Sequence, residues 1–260
     1  MRPTLLPLLL VVVAGCATAP LGTPPAVVAP PVASGVPPAD ASWQPAAFSA
    51  AASLDGLPEG WRPYRLGRFK KPTEYRLVRY GGTVALRAQA EGSASGLRFD
   101  TSIDLREHPW LTWRWKVTSL IDGADNTLAH VEDSPARVVV MFEGGRERLP
   151  AAEQINYDLA LAIGGNRLPY ATLMYIWENN LPEGAVIPHH LTGRIKMIVA
   201  ASGPDGVGAW REQRVNVLAD YRRAFGEDPP RVKAIGVMSD ADNTGGSVTA
   251  YYGDIRFERR

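Results

Sequence analysis

Between residues 239 and 246 the chain reads SDADNTGG, two aspartates, an asparagine and two glycines on a tight turn between apolar segments. Oxygen ligands held this close suit a hard cation such as calcium, with Asp240 and Asp242 supplying the carboxylates. The same residues suit an Asx turn that satisfies its own backbone, or a polar ligand hydrogen-bonded by Asp240, Asp242 and Asn243. One particular calcium loop is excluded. Against D-x-[DN]-x-[DN]-G, Thr244 stands at the fifth position and Tyr251 where the closing glutamate belongs.

A second acidic stretch, GADNTLAHVEDS at 123–134, follows Asp122 and carries Asp125, Glu132 and Asp133. If it folded beside the 240 loop the two would form a carboxylate-rich cleft, but spacing alone does not bring them together. Paired carboxylates can hydrolyse a glycosidic bond, one donating a proton while the other attacks or stabilises the sugar. Asp240, Asp242, Glu178 and Glu212 are the acids available for it, and none has a spacing that reports a partner. Nucleophile motifs are missing: GSASG at 92–96 has Ala94 where G-x-S-x-G needs serine. His108, His130, His189 and His190 form no metal-binding spacing, and the adjacent pair reads as loop, pointing to opposite faces if extended. No catalytic residue is assigned, and binding without turnover is the expectation. The alternative is a polysaccharide-acting hydrolase or lyase with Asp240 or Asp242 in the acid–base role.

Aromatic residues are more informative than the acids. Seven tryptophans and nine tyrosines exceed the obvious needs of a core, and sugar rings stack on exposed aromatic faces. Trp110, Trp177, Trp210 and Tyr252 are the candidates for such a surface.

The elements that must position these residues are short. Beyond Leu57 the chain runs in alternating segments broken by Gly, Pro, Asn and Asp, the pattern of strands in an all-β domain. Strands are predicted near 61–69, 75–80, 83–90, 96–103, 110–117, 136–143, 171–177, 194–201, 209–217, 232–239 and 248–258. Helices are predicted over 150–162 and 217–225, the second with Leu218, Tyr221 and Phe225 at helical spacing and Gly226 as its stop. In WLTWRWKV at 110–117, Leu111, Trp113, Trp115 and Val117 share one face and should be core. Many short strands with one or two short helices favour a two-sheet jelly-roll β-sandwich.

Composition narrows the partners. Lysine and arginine number 28 against 27 aspartates and glutamates, so no excess positive field gathers nucleic acid. The only cysteine, Cys16, follows a short basic start, an apolar run LLPLLLVVV at 5–13, and small residues Ala14 and Gly15. That run is too short to span a bilayer permanently. It resembles the lipobox of bacterial lipoproteins, which implies removal of residues 1–15 and acylation of Cys16. Anchoring by more than one chain is strong because each buried methylene contributes about 0.8 kcal/mol. Ala17 in place of aspartate implies the outer rather than the inner membrane in a two-membrane cell. From Cys16 to about residue 55 the sequence is Pro- and Ala-rich with almost no charge, a linker in extended polyproline geometry at ~3.1 Å per residue. The folded domain is then expected over 56–260.

WRWKV at 113–117, L-x-x-G-A-D at 120–125, ARVVVMF at 136–142, YIW at 175–177, AWREQRVNVLADYRRAFGEDPP at 209–230 and IGVMSDADNTGGSVTAYYGDIRF at 235–257 together resemble domain-of-unknown-function family 3047. The resemblance implies a jelly-roll sandwich like galactose-binding and carbohydrate-binding modules and brings no activity with it. The HHLTG segment at 189–193 departs from the family's pattern. The joint expectation is a membrane-tethered envelope lipoprotein whose sandwich binds a carbohydrate or another polar envelope ligand; a structural lipoprotein that binds a protein partner is the further alternative. No cofactor is expected other than calcium at Asp240 and Asp242, and oligomeric state is left open.

Overall fold

The computed structural model describes residues 42–164 and 168–259. Twelve strands form two sheets packed face to face. The larger is ordered β1 (Trp61–Arg65), β4 (Ala94–Ile103), β11 (Val232–Asp240), β6 (Ser134–Phe142), β7 (Ala171–Glu178), β9 (Ile195–Ser202) and β8 (Val186–Pro188). Its pairs are antiparallel except β7 with β9. The smaller is antiparallel throughout, ordered β10 (Arg211–Asn216), β5 (Trp110–Val117), β12 (Ser247–Glu258), β3 (Thr83–Glu91) and β2 (Glu74–Tyr80). This is the expected two-sheet β-sandwich of jelly-roll kind.

Helix α1 (Ala151–Gly164) joins β6 to β7, and α2 (Val217–Phe225) joins β10 to β11, close to the two predicted ranges. The Asn216 side chain caps α2 by accepting from the Ala219 amide at 2.9 Å, and Gly226 ends it at φ 72°, a left-handed conformation that glycine adopts without steric cost.

Strand β5 alternates as its sequence predicts: Leu111, Trp113, Trp115 and Val117 are buried and the four residues between them are half-exposed. Trp113 meets Tyr175 at a ring-centroid distance of 5.4 Å, and Trp115 meets Trp177 at 6.0 Å, so β5 and β7 carry the aromatic centre of the core between the sheets.

Strand β6 does not alternate at all; every residue of SPARVVVMF is buried, as are eight of the nine in β11. A strand buried on both faces needs a second covering layer. Here the inner face packs on the smaller sheet, while α1 and three loops cover the outer one.

The linker ends sooner than its composition suggests. Trp43 bridges Phe257 of β12, Phe48 is buried, and the Ala46 carbonyl accepts from the Trp61 indole at 2.9 Å. Two aromatic side chains among many Pro and Ala residues bury enough apolar surface to dock the segment. Residues 1–15 and Cys16 lie outside the described residues.

Candidate functional site

The outer face of the larger sheet carries a cavity of about 420 Å³. Register builds its floor. Arg137 pairs across the sheet with Met238, Val139 with Gly236 and Met174, and Met141 with Thr172. Thr172 in turn faces Ile195. A methyl group on Gly236 would lie 2.6 Å from the Leu97 carbonyl, and one on Gly96 2.7 Å from that of Val237, so the floor there is bare backbone by necessity. The walls come from the segment after β1, from the acidic loop before β6, from α1 and from residues 189–192. Glu153 of α1 ties two of these walls by accepting from the Gly193 amide at 2.9 Å and from the Thr192 hydroxyl.

The floor is aliphatic at one end and charged at the other. Arg137, 1% exposed, is the one charged side chain in β6. Its Nε and Nη2 donate to Oδ1 and Oδ2 of Asp240 at 2.9 and 3.0 Å, and Nη2 also donates to Asn126 Oδ1 at 3.2 Å. Nη1 lies 3.7 Å from Glu132 Oε1. A bidentate pair of this kind is the form in which a buried guanidinium and carboxylate are best satisfied. Burial pushes the Asp240 carboxyl up to about 6; Arg137 opposes the rise, and the neighbouring carboxylates of Asp133 and Glu132 add to it.

His189 and His190 stack with centroids 4.4 Å apart, because the chain turns after β8 instead of running extended, and so they share a side rather than pointing to opposite faces. Glu132 receives both: His190 Nδ1 lies 2.8 Å from Oε2, and His189 Nε2 lies 3.6 Å from Oε1. The Leu191 amide donates to His189 Nδ1 at 3.2 Å, which puts the proton of the neutral ring on Nε2. Burial holds the His189 pKa down at about 4, with His190, Arg137 and Lys70 acting the same way against the pull of Glu132. Burial thus favours the uncharged ring, whose Nε2 faces Glu132 Oε1. Glu132, His189 and His190 lie close enough together to hold a metal ion. A metal on His189 Nε2 would need the lone pair that this pattern assigns to a proton, and metal-bound imidazoles normally donate from their second nitrogen rather than accept there.

The two acidic loops do meet. Asp133 accepts from the amides of Asn243 and Thr244 at 3.2 and 2.7 Å and from the Thr244 hydroxyl at 2.7 Å, while Asn243 Nδ2 donates to the Glu132 carbonyl at 3.1 Å. Asp133, Asp240 and Asp242 lie close enough together to hold a metal ion. Asp240 is held on both oxygens by Arg137, and Asp242 pairs with Lys70 through Oδ2, while its Oδ1 is buried without a hydrogen-bond partner. Asp240 and Asn243 line the cavity's charged end.

The aromatic candidates do not form one surface. Trp177 is fully buried between the sheets, its indole donating to the Gly203 carbonyl at 3.1 Å, and Tyr252 is buried with its hydroxyl donating to the Met238 carbonyl at 2.6 Å. Neither can stack on a ligand; both were expected on a binding surface and belong instead to the core. Trp110 and Trp210 are half-buried on the outer face of the smaller sheet, away from the cavity. Arg214 lies 3.9 Å over Trp110 and Arg114 4.8 Å over Trp210, while Tyr80 and Tyr251 pack at the edge of Trp210. Asp240 and Asp242 stand with Asp133 in one cluster, and the other two candidate acids fall outside it. Glu212 opposes Arg114 on that same outer face, and Glu178, buried at the end of β7, accepts from the Asn180 and Leu181 amides.

Sequence reasoning missed Arg137, Asn126 and the aliphatic floor. The signal for Arg137 was present: a lone charge inside the apolar run ARVVVMF is a buried cation in need of an acid.

Fold and cavity together define a mostly-β sandwich that carries a partly enclosed, two-ended site on one sheet. The chain belongs to the family described as protein of unknown function (DUF3047), whose model matches residues 59–256. No curated protein sequence matches it. Among solved structures it is similar to a mutant family 29 carbohydrate-binding module complexed with mannohexaose, at a TM-score of 0.36 and 12% identity over 84% of this chain and 93% of that one. The glycoside hydrolase domain of Endo-D from Streptococcus pneumoniae R6 gives a TM-score of 0.35 at 8% identity over 77% of this chain, which spans only 21% of that structure. The enzymatically active domain of tailspike protein 4 from bacteriophage CBA120 gives 0.30 at 8% identity, over 77% of this chain and 19% of that one.

Proposed function

We propose that the sandwich is a binding module for an amphipathic small molecule, seated in the cavity over the larger sheet. The observation that carries this reading is the division of the lining: Val139, Met141, Met174 and Ile195 on one side, Arg137, Glu132, His189 and Asn243 on the other. Its volume, about 420 Å³, lies in the range of sites for small ligands, roughly 300–1,000 Å³. Aliphatic carbons offer dispersion contacts to an acyl chain and no flat ring for a sugar to stack on. The neutral His189, with Lys70 and His190 near the rim, supplies hydrogen-bond donors to a polar head. The cavity lining includes one phenol ring, Tyr64, whereas Trp210, Tyr80 and Tyr251 cluster on the opposite sheet, and that cluster favours a second, weaker reading as a glycan contact.

Titration with a fluorescent fatty acid tests the cavity. Val139→Trp fills the floor and should weaken binding at least tenfold, while the unfolding free energy falls only by the roughly 1–3 kcal/mol that overpacking costs. Unchanged affinity in that variant, or saturable binding only of oligosaccharides that Trp210→Ala abolishes, would replace the first reading by the second.

In this reading the chain is an envelope lipoprotein anchored through Cys16, in the outer membrane where two membranes exist. Cys16→Ser should abolish labelling by an alkyne fatty acid and move the protein to the soluble fraction. A Cys16→Ser protein that is still labelled or still membrane-bound rules the anchor out.

A further inference from the structure

Among the described residues six large apolar side chains are exposed, and five of them belong to the segments that wall the cavity. Phe69, 96% exposed, precedes the lining residue Lys70; Leu128 precedes Ala129; Ile155 precedes Asn156; Leu159 and Leu191 line the cavity themselves. Scattered surface hydrophobics need no explanation, but a set confined to the rim of one apolar opening marks a contact surface. Ile155 and Leu159 are four apart on α1 and so lie on one face of the helix.

Charge says what the contact is with. Residues 61–71, WRPYRLGRFKK, hold Arg62, Arg65, Arg68, Lys70 and Lys71 and no acid. Phe69 is thus flanked in sequence by Arg68, Lys70 and Lys71; Lys70 pairs with Asp242 and Arg62 with Asp100, and both cations stay largely exposed. An apolar wedge bordered by basic side chains is the composition that inserts at a lipid–water boundary and is drawn there by anionic headgroups.

We propose that the mouth of the cavity docks on the surface of an anionic phospholipid bilayer, with Phe69 and Leu191 entering the interface, so that the amphipath the cavity takes is a lipid passing directly between membrane and protein. This rests on the reading of the cavity as an amphipath site. The docking is a property of the folded domain, distinct from attachment through Cys16: the anchor holds the chain near the bilayer, and the rim sets which face meets it.

The test places an environment-sensitive nitrobenzoxadiazole probe on the full chain in a Cys16→Ser background, which leaves no other thiol, by Phe69→Cys or Leu191→Cys. A control probe goes at Arg87→Cys, on the outer face of the smaller sheet. With phosphatidylglycerol vesicles, the probes at 69 and 191 should brighten several-fold, shift to shorter wavelength and be quenched by brominated acyl chains, whereas the probe at 87 stays aqueous. The response should fade in phosphatidylcholine vesicles. It should also fade as salt rises from about 0.01 to 1 M, which shortens the screening length from ~30 to ~3 Å. Equal responses at all three sites, or no response at 69 and 191 with protein bound to the vesicles, overturn the proposal. A rim occupied instead by a partner protein or a second copy would ignore protein-free vesicles, which overturns it equally. Repeating the measurement in Val139→Trp separates the two readings. Probe insertion that persists there while fatty-acid binding was never detected leaves docking standing and the cavity reading refuted; fatty-acid binding without insertion does the reverse.

Discussion

Replacing Arg137 by methionine should destabilise the domain by about 3–5 kcal/mol, one of the two largest effects expected of a single substitution here. The side chain is 1% exposed and its partner Asp240 4%. Removing the guanidinium deletes both bonds to Asp240 and the one to Asn126, and strands a carboxylate in an apolar floor where it must either stay charged without a partner or take up a proton. Denaturant unfolding followed by tryptophan fluorescence measures the loss. Two companion results separate the ion pair from general disruption. The double variant Arg137→Met/Asp240→Asn should recover part of the loss, since the Asp240 charge is gone while Glu132 still loses its contact with Arg137, and the Asn carbonyl can still accept from the Ser134 amide as Asp240 does at 3.3 Å. The pH dependence should also change in a stated direction. Asp240 already sits at about 6 in the folded state, above the ordinary 3.8, so the folded form binds its proton more tightly than the unfolded form. Its charge therefore costs nothing below pH 3.8, and the cost grows as pH rises through 6. Without Arg137 the carboxyl rises further, and Arg137→Met should gain stability relative to the wild type on acidification from about pH 7 to 5. A single variant as stable as the wild type at neutral pH would mean that the pair is not buried as described.

Trp177→Ala should cost a similar amount, about 3–5 kcal/mol, the usual range for deleting a large buried aromatic side chain. The ring is fully buried, lies 6.0 Å from Trp115, and donates its N–H to the Gly203 carbonyl. Truncation leaves a void between the sheets and an acceptor without its donor. Trp210→Ala, half-exposed on the outer face of the smaller sheet, should fall within ~1 kcal/mol of wild type. Thermal unfolding of the two variants side by side reads the contrast. A Trp177→Ala protein with unaltered stability but weakened affinity for a soluble glycan would return that ring to a binding surface.

The reach of sequence reasoning can be seen at particular strands. In WLTWRWKV one face is apolar and one polar, and the structure buries the predicted four side chains, because a strand with one wet face reports its orientation through period-two alternation. In ARVVVMF the same reading identified a strand and missed its consequence. A continuous apolar run contains no alternation, so it marks burial on two faces without saying what covers each. The covering layer came from the segment after β1, the acidic loop before β6, α1 and residues 189–192, which are distant in sequence and individually bland. Tryptophans were misassigned for a related cause: residue type reports the capacity to stack, and only packing tells whether a face is free.

Local chemistry alone determined the alternating strands, both helices, the cap at Asn216 and the stop at Gly226, since each depends on neighbours a few residues away. Which acids meet, which histidine nitrogen holds the proton, and where the cavity opens were decided by the tertiary structure. Arg137 and Asp240 are 103 positions apart and become partners only when β6 and β11 align in one register. That alignment is set by burial summed over two whole strands, a quantity that no short stretch of the chain contains.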